Sequence, residues 1–149
     1  MATTISLVTS TNSAGNAINA ASAWASSDNT TNFPGIETTG DIQCLFGDLS
    51  IPAGSTIDGI LISVEGAGSN FAATPLILVH NGTSYSSGVA PSAAFNKSDQ
   101  VVTYGGSTDL WGLSWTAATA ASIQAIIDVS TIASGEVYWD HVQMTIYFT

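Results

Sequence analysis

Side chains able to do chemistry are few in this sequence and widely spaced. There are two histidines, His80 and His141, one cysteine, Cys44, and eleven carboxylates against a single basic side chain, Lys97. Catalysis needs a nucleophile, a base or a metal held in mutual register. His80 borders the Asn81-Gly82 pair, and His141 lies near the C-terminus on the strand face opposite Met144 and Ile146. Two histidines without a clustered third ligand do not make a zinc site. Asp28, Asp41, Asp48, Asp58, Asp99, Asp109, Asp128 and Asp140 are scattered, mostly at strand ends. There their first role is turn chemistry, because Asp accepts hydrogen bonds from nearby backbone N–H groups. A calcium site needs several converging oxygens, and no EF-hand or repeat spacing supplies them. A glycosidase needs two carboxyls flanking a cleft, and nothing singles out a pair. The Ser-rich stretches contain no G-x-S-x-G elbow. The expectation is a protein that is not an enzyme, with no catalytic residue, no metal ligand and no cofactor.

Aromatic residues are the better candidates for function. Of the four tryptophans, Trp111 and Trp139 are expected in the core, whereas Trp24 and Trp115 are less clearly placed. Exposed aromatics stack on sugar rings or anchor protein interfaces, where Trp is over-represented. Trp24, Phe33 and Trp115 are therefore the candidate partner-binding residues; for Trp24, its own core and a subunit contact both stay open. Cys44 sits in the alternation Ile42, Cys44, Phe46, which favours a buried small hydrophobe over a reactive thiol.

Composition excludes whole classes of partner. Only 8% of the residues are charged, against roughly a quarter in an average domain. A formal charge of −10 with one Lys cannot replace phosphate counterions, so nucleic acid is rejected as a partner. An anionic membrane surface is rejected for the same reason. No uninterrupted apolar run is long enough for a spanning helix. The surface must instead be clothed by Ser, Thr and Asn, which number 20, 18 and 8. With a single Cys no intrachain disulfide forms, and the N-terminus has neither the positive region nor the apolar run of a secretory signal. A protein made in the cytoplasm and released by lysis fits both the absent signal and the Ser/Thr-rich surface.

The elements that would hold these residues are strands. At 149 residues and 45% hydrophobic, the chain suits one domain with a substantial core. Residues 1–40 are polar and irregular and read as an N-terminal arm or edge strand. Residues 41–149 read as an all-β domain, a jelly-roll-like β-sandwich. Strands are expected from Ile42 to near Leu49, over Ile60–Glu65, over Leu76–His80 and over Val101–Tyr104. Another is expected over Ile123–Val129 and a last one over Glu136–Phe148. Asn81-Gly82 predicts a two-residue hairpin with Thr83–Ser86 returning. Thr116 predicts the cap of a short helix, Ala117–Ala121. In the last strand the apolar parity switches between Trp139 and Val142, which predicts a β-bulge near Asp140.

Three segments carry a resemblance. They are Ile51-Pro52-Ala53-Gly54-Ser55-Thr56-Ile57-Asp58-Gly59-Ile60, the run from Tyr104-Gly105-Gly106 through Asp109-Leu110-Trp111-Gly112-Leu113-Ser114-Trp115-Thr116, and Trp139-Asp140-His141-Val142 through Phe148. Together, over about residues 24–149, they resemble a β-sandwich module of structural proteins of tailed bacteriophages. The resemblance implies a virion structural protein with no enzymatic activity, no cofactor and no set of functional residues to carry over. A short chain beginning at its own Met, without fibre repeats or heptads, favours a head protein. The expected role is a capsid decoration (cement) protein on the outer surface of the head, a homotrimer bound to the major capsid protein lattice. The alternative is a receptor- or carbohydrate-binding module of a tail fibre or other appendage, in which Trp24, Trp115 and Tyr85 would be exposed stacking residues.

Overall fold

Alternation of apolar and polar residues governs most of the described chain, because a strand directs successive side chains to opposite faces. The computed structural model describes residues 1–13, 41–46, 49–68, 74–128 and 137–149, and of residues 5–13, 41–42 and 137–140 the backbone only. In chain order the elements are β1 (Ala2–Ser13), β2 (Asp41–Phe46), β3 (Ile57–Gly68), β4 (Leu76–His80), β5 (Gln100–Gly106), α1 (Ala117–Ala121), β6 (Gln124–Asp128) and β7 (Val137–Phe148). The fold is all-β, with a single helical turn among the described residues.

The strands form two antiparallel sheets. In the first, the order is β1-β7-β3-β5; in the second it is β4-β6-β2-β1. β1 belongs to both: Ala2–Leu7 pair with β7, and Val8–Ser13 pair with β2, with a register shift between Val8 and Ser10. Each half of β1 thus lies at the margin of its sheet. The rest of the arm, with Trp24, Phe33 and the Ala17–Ala25 stretch, lies outside the described residues.

One core cluster draws on both sheets. Ile60, Ile62 and Val64 of β3, Val142, Met144 and Ile146 of β7, and Val102 and Tyr104 of β5 come from the first. Cys44, Ile77, Val79, Ala125 and Ile127 come from the second. Burying each such aliphatic side chain contributes about 1.5–3 kcal/mol. Leu49, Phe95, Trp111 and Ile123 complete the cluster from outside the strands.

The expected bulge is present. Glu65 pairs with His141 and Gly66 with Trp139, so Asp140 is an extra residue in β7 and the side-chain phase changes there. The helix also forms over Ala117–Ala121. Thr116 Oγ1 accepts from the Thr119 N–H at 3.1 Å, and Thr119 Oγ1 accepts from the Thr116 N–H at 2.9 Å.

β2 is described as far as Phe46, and Leu49 beyond it is buried. The expected hairpin needs correction. The hairpin after β4 is not a two-residue turn. The strands rejoin at a His80–Tyr85 bridge across residues 81–84, and Asn81 donates its N–H to Ser84 O at 3.2 Å. The reason is the Asn side chain: Asn81 Oδ1 accepts from the N–H groups of Thr83 (3.0 Å) and Ser84 (2.9 Å), which stabilises a wider loop. Nor is Thr83–Ser86 a regular strand. Ser86 Oγ takes the Val79 N–H at 2.9 Å, and the next bridge, Ile77–Val89, is displaced by one residue.

Candidate partner-binding site

Trp115 is the one candidate partner residue among those described, and its position depends on the loop that joins β5 to α1. That loop begins by crossing β3 at very close range. An added Cβ on Gly59 would fall 2.2 Å from the Ser107 carbonyl carbon. Only glycine permits that approach.

The Ile60 peptide is then bonded from both ends by the loop. Its N–H donates to Asp109 O at 2.9 Å, and its C=O accepts from Trp111 Nε1 at 2.9 Å. Asp109 Oδ1 accepts from the Trp111 N–H at 2.8 Å, which holds Trp111 at a φ of 58°. This left-handed conformation is uncommon for a bulky residue and is maintained by the surrounding bonds. Trp111 is buried as expected, with its indole against Gly105, whose own φ is 71°.

Four residues on, Trp115 packs against the margin of the core. Its Nε1 donates to Leu110 O at 2.9 Å and so sets the ring, which remains half-buried. Beside it is a pocket of about 440 Å³, between the Ala53–Thr56 turn and Trp115–Ala118. Both walls are stiff. Ser55 donates its N–H to Pro52 O at 3.1 Å across a turn with Gly54 at a φ of 88°, and Thr56 exchanges backbone hydrogen bonds with Thr149 at 2.8 and 2.9 Å. The opposite wall is the capped start of α1. The small side chains Ala53, Ala117 and Ala118 line the pocket together with the Trp115 ring. A pocket of this type receives a compact apolar group and supplies no acid, base or nucleophile.

The remaining candidates are dispersed. His80 lies on β4 of the second sheet and His141 on β7 of the first. Among the described residues no three of His, Cys, Asp and Glu come together in a way that could hold a metal ion. No described helix is long and apolar enough to cross a membrane. Cys44 is fully buried, and desolvation pushes its thiol up to about 12, so it is a core residue. Burial likewise raises the Tyr104 phenol, whose hydroxyl donates to Pro75 O at 3.2 Å. The core role expected of Trp139 concerns a side chain outside those described.

Sequence reasoning missed two features. Phe95 is fully buried although it stands in an irregular loop before β5 with no periodicity. Glu65 is a buried carboxylate whose Oε2 has no hydrogen-bond partner among the described residues. Tyr85, an exposed stacking residue in the alternative reading, is 55% exposed and packs on His80, with ring centroids 4.3 Å apart.

Comparison with family models, with curated proteins and with solved structures gave no match to this chain.

Proposed function

We propose that this protein is a structural component of a tailed-bacteriophage particle, a decoration protein that binds the outer surface of the major capsid protein lattice as a homotrimer and strengthens the head. What carries the reading is the convergence of the three segments on which the resemblance rests. Thr56 pairs with Thr149, Ile60 pairs with Ile146, and the Ile60 peptide is bonded by Asp109 and Trp111. Residues far apart in the chain thus build one architectural unit, and they are used for shape rather than chemistry. In the same reading the two sheets pack face to face as a jelly roll. Counting Tyr85–Val89 as a fifth strand in chain order, the sheets run 1-8-3-6 and 2-7-4-5, the order of two nested Greek keys.

The mechanism is linkage. A protein that binds only the assembled lattice stabilises it by mass action, and the gain grows with occupancy. Trp115 and its pocket supply a rigid apolar anchor for the lattice, and the arm carrying Trp24 and Phe33 extends the contact. Ser- and Thr-rich surface with few cations suits a wet protein–protein contact and no nucleic acid.

Co-sedimentation of the purified protein with expanded, empty phage heads tests the proposal. Saturable binding is expected, and Trp115→Ala should weaken it at least tenfold. Absence of binding to heads, together with binding to host glycans alone, would overturn it in favour of a tail-appendage module.

A further inference from the structure

The second sheet carries a different surface, on its face away from the core. Cross-strand rows there are His80–Gln124–Leu45, Leu78–Ile126–Gln43 and Leu76–Asp128. The residues of these rows on β4 and β6 are half-buried, while their neighbours Ile77, Val79, Ala125 and Ile127 are in the core. Tyr85 stands beside this face, bridged to His80 and in tilted contact with its ring, with 44° between planes. His80 is itself held, because its Nδ1 accepts the Gly82 N–H at 3.2 Å. Between Tyr85 and the sheet lies a trough of about 380 Å³ lined by Leu78, Tyr85, Ile126 and Asp128.

We propose that this trough is a binding site for an uncharged sugar ring of a polysaccharide. A pyranose has an apolar C–H face and a hydroxylated edge, and the trough offers surface for each. Leu78, Ile126 and the exposed Tyr85 ring present apolar area, with Tyr85 adding a polar phenolic tip. Asp128 adds a carboxylate to the lining, an acceptor for hydroxyl groups. In the next rows Gln43 Nε2 donates to Gln124 Oε1, and this amide pair extends the polar border. The volume falls within the roughly 300–1,000 Å³ of small-molecule sites. Charge narrows the class. At a net −10 with Lys97 on the loop before β5, an acidic polysaccharide is repelled. Among the described residues Trp115 is not part of the trough's lining, and the site does not depend on capsid binding.

Native gel electrophoresis through embedded polysaccharide tests this, with dextran, mannan and galactan as neutral matrices and alginate as the acidic control. At least one neutral matrix should retard the protein. Tyr85→Ala should abolish the retardation, Asp128→Asn should reduce it at least tenfold, and Tyr85→Phe and Trp115→Ala should retain it. The proposal is overturned if no neutral matrix retards the protein, if alginate alone does, or if Asp128→Asn and Tyr85→Ala migrate as the wild type does. Should Tyr85→Ala fail to fold, Asp128→Asn alone decides. Loss of head binding with sugar retardation intact would overturn only the decoration reading.

Discussion

Trp111 Nε1 donates to Ile60 O at 2.9 Å, and this bond passes directly over Gly105. The two residues are 51 positions apart, so the contact ties the loop after β5 to the middle of the core. A Cβ on Gly105 would lie 2.4 Å from Ile60 O and 2.6 Å from Trp111 Nε1, in a backbone whose φ is already unfavourable for other residues. Its neighbour Gly106 has nothing within 4 Å of the same position. Gly105→Ala should therefore cost about 3 kcal/mol or prevent folding, whereas Gly106→Ala should change stability by less than about 1 kcal/mol. Urea unfolding of the two variants checks this, and equal midpoints would refute it.

The two tryptophans of the loop should respond differently to loss of the indole N–H. Trp111→Phe leaves the Ile60 carbonyl without its side-chain donor inside the core and removes packed volume, for about 2–3 kcal/mol. Trp115→Phe removes a bond to Leu110 O near the surface and should cost under about 1 kcal/mol. Thermal unfolding of both proteins is the measurement. A larger loss for Trp115→Phe would mean that the pocket, not the Trp111 contact, organises the loop.

Where the sequence predicted the structure, local chemistry sufficed. Thr116 and Thr119 cap α1 through bonds three residues apart, and the parity switch around Asp140 is written in the order of apolar residues. What escaped it were contacts made across the chain. Phe95 stands in an irregular loop and is buried by elements remote from it in sequence. The Asn81 loop was misread because Asn-Gly supports both a tight turn and a wider loop closed by the Asn side chain, and the backbone pairing that decides between them is tertiary. The candidate site was legible in residue type only. That one tryptophan of a five-residue stretch is buried and the other half-exposed depends on which carbonyl each N–H reaches, Ile60 or Leu110.

Glu65 is a buried carboxylate of β3. It pairs across the first sheet with Val101 on one side and His141 on the other, and only 6% of it is exposed. Its Oε2 has no hydrogen-bond partner among the described residues. Glu65→Gln removes the charge and keeps the shape, so it should raise stability by about 1 kcal/mol at neutral pH. The midpoint of urea unfolding should rise with an unchanged slope. A fall would show that the carboxylate takes part in a bond that the fold requires.

Alkaline unfolding should be steeper than the few surface charges alone would produce. Cys44 is fully buried, and its thiol is raised from 9.0 to about 12 by desolvation. A raised folded-state value means that the native protein keeps the proton after the unfolded chain has lost it. The stabilisation is then complete below about pH 9 and disappears as pH climbs toward 12. Over that window the slope approaches 1.4 kcal/mol per pH unit, or about 4 kcal/mol in all. Tyr104, also buried with a raised phenol, adds a loss of the same sign above its ordinary value of 10.0. Cys44→Ala deletes the first contribution and leaves the second. Its stability, lower at pH 7 because a core side chain has been shortened, should therefore fall less than that of the wild type between pH 9 and 10. In the wild type, a disulfide reagent at pH 8 should reach Cys44 only through opening of the fold, roughly a hundredfold or more slowly than in denaturant. Parallel pH profiles for wild type and Cys44→Ala, or rapid labelling of the native protein, would remove Cys44 from the core.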